Sequence, residues 1–143
     1  MINIPTSNRF ISVLSKKIET GRALNALGHM TAGLISLFEG KFDQFRFQTY
    51  LDGDKSLHLN ISDNPFIVLK ADNSNKIRTL RNELLARDIV FTDFTGTMVE
   101  GTFLEQHTRT NQTKEIDLEY FGITFFVDNE TAKELTKKFS LYL

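Results

Sequence analysis

Apolar and polar positions along the chain follow two periods, one typical of strands and one typical of helices. Strands are predicted where apolar residues run together or alternate with polar ones, at 10–14, 45–51, 56–62, 66–71, 88–94 and 117–127. Helices are predicted where apolar residues recur every three or four positions, at 20–38, 75–87, near 103–108 and from 129 onward. The order of these elements indicates an α/β protein.

Two segments also predict how neighbouring strands are connected. Residues 66–94 form a strand, a helix and a strand, the order of a β-α-β crossover with parallel strands. The runs 45–51 and 56–62 flank Asp52-Gly53-Asp54, and Asp-Gly favours a hairpin turn because glycine accepts a positive φ. We therefore expect residues 1–143 to form a single α/β domain. It would have a mixed, mostly parallel four-stranded sheet with helices on its faces, and an additional β-hairpin.

The amino-acid composition argues against several classes of protein. The chain is 41% hydrophobic with 13 Phe and no Trp, so Phe supplies much of the core volume. The absence of Cys excludes disulfides, thiol nucleophiles and Cys-ligated zinc. A net charge of −1 argues against a generally basic nucleic-acid-binding protein. Without a long apolar run, or a secretory signal in residues 1–10, we expect a cytoplasmic protein with no membrane contact.

The first predicted helix carries a polar stripe. In "GRALNALGHMTAGL" (21–34), Arg22, Asn25 and His29 lie opposite the apolar face. Such a stripe is usually a solvated surface. However, solvated helix faces usually carry several Lys and Glu, and residues 23–38 contain neither. The stripe is therefore either a solvated surface or one wall of a binding site.

A second group of candidates follows a strand. Asp93, Thr95 and Thr97 lie where a strand runs into a Gly-containing loop, and ligands of open α/β sheets bind at the carboxyl ends of strands. These residues either serve a ligand, with Asp93 as a general base, or make local turn hydrogen bonds. His58 lies on the opposite face of its strand from its two Leu neighbours, facing either solvent or a pocket. "DGDKSLH" (52–58) is more typical of a turn than of a metal site, and we expect neither metal nor cofactor.

Several segments resemble known families. "GRALNALGH", "IVLKA" and "TDFTGT" are similar to elements of the type-II peptidyl-tRNA hydrolases. Over residues 9–143 the chain more closely resembles a bacterial family of unknown function that shares the hydrolase fold. The matching segments, in order, are "ALNALGHMTAGL", "YLDGDKSLH", "IVLKAD", "DFT", "YFGITFF" and "LTKKFSLYL". The resemblance implies a mixed four-stranded core sheet packed by helices.

The resemblance also implies site residues. Arg22 stands where the hydrolases have a functional Lys, His29 matches a His of the same helix, and Asp93 and Thr97 match a functional Asp and Thr. Ala26 replaces a Gln, and the glycine of the Asp-containing loop has moved to Gly96. Arg22 cannot act as a base because its guanidinium stays protonated, but it can bind phosphate or carboxylate.

Three functions stay open at this point. The first is a pocket for a small anionic ligand, with Arg22, His29, Asp93 and Thr97 as candidate catalytic residues and Asn25, Thr95 and His58 as candidate binding residues. The second is a non-catalytic binding module or homodimer, suggested by Phe45, Phe47 and Tyr50 of the hairpin and by the apolar end "LYL". The third is a divergent peptidyl-tRNA hydrolase, for which tRNA would be a partner.

Overall fold

The computed structural model describes residues 7–143 as one α/β domain with four helices and two sheets. Residues 1–6, part of the segment in which no secretory signal is expected, lie outside the described residues. The strands are β1 (Asn8–Ser15), β2 (Phe47–Leu51), β3 (Leu57–Ser62), β4 (Phe66–Ala71), β5 (Phe91–Thr95), β6 (Tyr120–Asp128) and β7 (Ser140–Leu141). The helices are α1 (Thr20–Ser36), α2 (Ser74–Ala86), α3 (Phe103–Gln112) and α4 (Asn129–Thr136).

The main sheet has five strands in the order β5-β6-β1-β4-β7, and β2 pairs with β3 in a separate two-stranded sheet. The mixed sheet and the additional hairpin are confirmed, but the expectation of four mostly parallel strands is wrong. Only β1 and β4 pair in parallel, whereas the other three neighbouring pairs are antiparallel. The strands of the predicted crossover, β4 and β5, run in the same direction but lie apart, because β6 and β1 separate them. The fifth strand, β7, is two residues long and comes from the final "SLYL".

Helices cover both faces of the main sheet. On one face α2 and α4 pack against alternate residues of β1 and β6, such as Val13 and Ile123. On the other face α1 lies across β6, β5 and β1, with Ala23, Ala26 and Met30 buried beneath it. Because strand side chains alternate between faces, each central strand contributes to both cores. This places the polar stripe of α1 on the outer side of one layer.

Close contact between α1 and β6 depends on Gly122. A Cβ added there would lie 2.7 Å from Met30 Cε, 2.8 Å from Leu14 Cδ2 and 3.2 Å from the Val13 carbonyl oxygen. The backbone of Met30 also accepts a 2.8 Å hydrogen bond from Thr92 of β5. Met30 therefore fixes the position of α1 on the sheet.

The predicted hairpin forms, but its turn differs from the expectation. The connection between β2 and β3 has five residues, and the positive φ falls on Lys55 (66°) rather than on Gly53. Asp52 Oδ1 accepts hydrogen bonds from the backbone N–H groups of Asp54 (2.9 Å) and Ser56 (3.0 Å). A side chain that bonds the backbone two residues onward organises this turn, as Asp commonly does.

Element ends follow local capping. Asn73 and Asp128 cap α2 and α4 by accepting hydrogen bonds from backbone N–H groups of the first turns. Helix α1 begins at Thr20 without a side-chain cap. Strand β5 starts three residues later than expected because the end of α2 continues into a turn, with Asp88 at φ 56°.

Within residues 7–143, no helix combines the length and apolar character that a bilayer crossing requires.

The Gly122 contact makes a testable prediction. Gly122→Ala is expected to lower the free energy of unfolding by about 1–3 kcal/mol, because the added methyl group overpacks the contact with Met30 and Leu14. Urea unfolding measures this change. Gly53→Ala is the matched control: its Cβ meets nothing within 4 Å, so the expected change is within about 0.5 kcal/mol. Equal stability of the Gly122→Ala and wild-type proteins would contradict the prediction.

Candidate functional site

A cavity of about 760 Å³ lies between α1 and α3, open to solvent on one side. One wall is the polar stripe of α1, through Asn25 and His29. The floor comes from β5 and the turn after it, and the other wall is α3. The lining residues are Asn25, His29, Phe94, Met98, Val99, Phe103, Gln106, His107, Thr110 and Asn111. The stripe thus forms one wall of a cavity.

Each of the two cavity histidines lies against a phenylalanine. The His29 ring stacks on Phe94 with centroids 5.8 Å apart and planes inclined by 24°. On the other wall, the centroids of His107 and Phe103 are 4.2 Å apart. The cavity therefore offers two flat aromatic surfaces, each with an imidazole that can donate and accept hydrogen bonds.

Helix α3 is held mainly by polar contacts. None of its residues is buried, and it begins with a capping box between Thr102 and Glu105. Thr110 Oγ1 donates to Thr97 Oγ1 at 2.8 Å, and the hydroxyls of Thr97 and Thr95 are 2.7 Å apart. Arg109 donates to the carbonyl oxygen of Thr97 and to that of Glu100. Thr95 and Thr97, predicted as site residues, thus connect α3 to the end of β5 and do not line the cavity.

Arg22 lies one turn before Asn25 but does not line the cavity. Its guanidinium donates a 2.8 Å hydrogen bond to Glu100 Oε1, the residue after Val99 of the cavity floor. The same hydrogen bond lowers the pKa of Glu100 below its usual range. The cation expected to hold an anion is therefore already paired beside the cavity.

Asp93 lies on the other face of the sheet. Strand alternation turns Phe94 toward α1, so its neighbour Asp93 points toward α2, where Arg81 Nε donates to Asp93 Oδ2 at 3.3 Å. The expectation that Asp93 shares a pocket with Arg22 and His29 is therefore wrong. Burial raises the pKa of Asp93 above its usual 3.8, although the nearby Arg81 guanidinium acts in the opposite direction.

Asp93 belongs to a polar network beneath α2. Arg78, only 8% exposed, donates to Glu115 Oε2 at 2.8 Å and to the carbonyl oxygens of Glu115 and Leu118. The Tyr120 hydroxyl donates to the same carboxylate at 2.8 Å. These hydrogen bonds, from Arg78 first and then Tyr120, lower the pKa of Glu115. The network attaches the segment before β6 to α2. Arg81, which bonds Asp93, joins it to this network because its guanidinium lies over the Tyr120 ring, 5.9 Å from the ring centre.

His58 lies outside the cavity. Its Nε2 is 2.9 Å from Asp52 Oδ2 in the hairpin turn, and both side chains reach solvent. Among the described residues, no group of three or more His, Asp or Glu is arranged to hold a metal ion. Of the predicted candidates, the structure brings Asn25 and His29 to the cavity.

The sequence did not predict that α3 forms part of a candidate site. Its residues, including Gln106, His107 and Asn111, lie in a polar segment for which only a short helix near 103–108 was expected. A signal for its start was present, since "TFLE" (102–105) has the spacing of a capping box. The juxtaposition of this helix with α1 has no local signal.

A second cleft, of about 540 Å³, lies between α2 and α4. Its charged lining residues have both signs: Lys76, Lys137 and Lys138 are positive, and Glu83 and Glu134 are negative. Glu134 is already paired with Arg87 at 2.8 Å. This cleft has no aromatic pair and no His, so the α1–α3 cavity is the stronger candidate.

Comparison with known proteins identifies a family. Residues 8–143 match the model of a family described as "Protein of unknown function (DUF2000)". The chain belongs to the DUF2000 family. No curated protein matches it. Its fold is similar to that of the protein of unknown function Atu0240 from Agrobacterium tumefaciens strain C58, with a TM-score of 0.79 and 17% identity, covering 96% of this chain and 98% of that chain.

The network in this DUF2000 protein predicts opposite pH dependences for two carboxyl groups. The raised pKa of Asp93 means that its contribution to stability is complete below pH 3.8 and is lost as pH rises through the folded-state pKa. The lowered pKa of Glu115 means that its contribution is present above pH 4.5 and is lost as pH falls through the folded-state pKa.

Urea unfolding of Asp93→Asn and Glu115→Gln across acidic pH tests this. The difference in unfolding free energy between wild type and Asp93→Asn should fall with rising pH, and the corresponding difference for Glu115→Gln should rise. Differences that change in the same direction would show that the two groups do not have the environments described.

Proposed function

We propose that this DUF2000 protein binds a small, uncharged molecule with an aromatic ring in the α1–α3 cavity. The observation that carries this proposal is the lining itself. Two His–Phe pairs face one cavity whose ten lining residues include no Asp, Glu, Lys or Arg. An anion in the cavity would gain little from Arg22, which is bonded to Glu100. We therefore favour a neutral ligand over the anionic one expected from sequence.

The polar groups of the cavity specify the rest of the ligand. Asn25, Gln106 and Asn111 carry amide groups that both donate and accept hydrogen bonds. A ligand with a ring and a carboxamide or similar group satisfies the aromatic surfaces and the amides together. The cavity volume of about 760 Å³ lies within the range of small-molecule sites. In this proposal the protein acts in the bacterial cytoplasm.

A second candidate is a divergent peptidyl-tRNA hydrolase on a related fold. It is favoured by the position of Arg22, Asn25 and His29 along one helix face beside the cavity, together with the sequence resemblance. Asp93, which the resemblance implies as a functional residue, interacts with Arg81 instead. A peptidyl-tRNA release assay separates the candidates. If the protein cleaves peptidyl-tRNA and His29→Ala abolishes that activity, the function is hydrolysis rather than simple binding. If the protein only binds a ligand, no cleavage is expected.

Ligand binding is tested with benzamide as a neutral aromatic probe and benzoate as its anionic match. Benzamide is expected to shift the imidazole NMR signals of His29 and His107 and to bind more tightly than benzoate. His29→Ala should weaken benzamide binding about two- to twelvefold, because an aromatic pair is worth about 0.5–1.5 kcal/mol.

The third histidine supplies the control. His58 lies in the hairpin, so its signal should stay in place and His58→Ala should bind benzamide like wild type. Tighter binding of benzoate, or equal shifts of all three histidine signals, would overturn the proposed ligand class.

A further inference from the structure

The β2–β3 hairpin exposes an apolar face. Opposite residues of antiparallel strands point to the same side, and so do alternate residues of one strand. The pair Leu51–Leu57 therefore shares a face with Phe47 of β2 and Leu59 of β3. These four side chains, called here the hairpin face, are 45% to 67% exposed, and the face carries no charged residue. A two-stranded hairpin is marginally stable alone in water, so this face favours burial against another surface.

The two edges of the hairpin differ. Strand β3 has one more residue than β2 between the pairs 48–61 and 50–58, and Asn60 has a φ of 56°. This bulge interrupts the β3 edge, whereas the β2 edge is regular and uncharged in sequence, "FQTYL". The bulge also moves Ile61 to the face opposite Leu59. Gln48, which pairs with Ile61, lies on that opposite face as well.

A second apolar surface lies between α1 and β4. Almost all of the exposed surface of this α1–β4 groove is apolar. It is lined by Leu24, Leu27, Gly28, Thr31, Ala32, Phe66 and Val68. Gly28 and Ala32 are both exposed, and a Cβ at Gly28 would meet nothing within 4 Å. Internal packing therefore does not require glycine at position 28. Small residues on an exposed helix face allow a strand from outside to approach closely.

We propose that a second copy of this chain covers both surfaces, with the hairpin face of each protomer lying in the α1–β4 groove of its partner. One chain supplies both the hairpin face and the groove. A two-fold axis therefore pairs the hairpin face of each protomer with the groove of the other and buries both surfaces on both protomers. Such a reciprocal contact closes at two copies and does not continue into a fibre. The dimer is independent of the ligand proposed above, because the hairpin face does not line the α1–α3 cavity.

The exposed areas fit a dimer of ordinary size. A half-exposed large apolar side chain offers roughly 100 Å². Five large side chains, the four of the hairpin face and Leu24 of the groove, are about half-exposed and therefore offer roughly 500 Å² per protomer. The partly buried Leu27, Phe66 and Val68 add a smaller area, which brings the total toward the ~800 Å² that each partner contributes to a stable interface. Either surface alone would fall well below this area.

Sedimentation velocity tests the proposal. The wild-type protein is expected to sediment as a species of twice the 16.4 kDa chain mass. Leu57→Lys combined with Leu59→Lys places charges on the hairpin face and should give a monomer. Ala32→Glu places a charge in the groove at an exposed helical position and should also give a monomer. Gln48→Lys is the control, since it adds a charge of the same sign to the opposite hairpin face and should leave the dimer intact.

Each result is decisive once circular dichroism shows that the variants are folded. A monomeric wild-type protein would overturn the proposal and leave a different protein as the occupant of these surfaces. A dimer that persists in the Leu57→Lys, Leu59→Lys protein would show that the hairpin is not the interface. A dimer that persists in Ala32→Glu would show that the hairpin does not lie in the groove.

Discussion

The arrangement of this protein depends on how closely α1 approaches the sheet at Met30. The methionine side chain occupies the space left by Gly122, while its carbonyl oxygen accepts a hydrogen bond from Thr92. Below it, the hydroxyl groups of Ser12 and Thr124 are 2.7 Å apart, and Thr124 Oγ1 lies 3.8 Å from Met30 Sδ. Packing and polar contacts thus meet at one residue, and they set the rotation of the helix about its axis.

That rotation decides what the remaining faces of α1 can do. With Ala23, Ala26 and Met30 directed to the sheet, Asn25 and His29 face α3 on one side. Leu24, Gly28 and Ala32 face outward on the other side, beside β4. One helix therefore serves the core, a cavity and an exposed apolar groove. A single polar stripe in the sequence describes only one of these three environments.

The two walls of the cavity differ in how firmly they are held. Helix α1 is fixed by a buried face, whereas α3 has no buried residue and is attached through Thr97, Thr110 and Arg109. Hydrogen bonds near a surface contribute less to stability than a packed apolar face. The α3 wall is therefore the one better able to adjust to a ligand, while His29 and Phe94 provide a fixed surface.

Local chemistry made much of the fold predictable. Helix and strand periodicity located the main elements, because this signal acts over a few neighbouring residues. The candidate site was only half predictable. Asn25 and His29 follow from helical spacing, but Asp93 was assigned to the wrong face because its direction depends on which side of β5 faces α1. Likewise, the α3 wall and the strand order follow from pairings between distant segments. The sequence by itself determined what each segment forms and which residues share its faces, whereas only the tertiary structure decided which faces meet, since that depends on packing across the whole sheet.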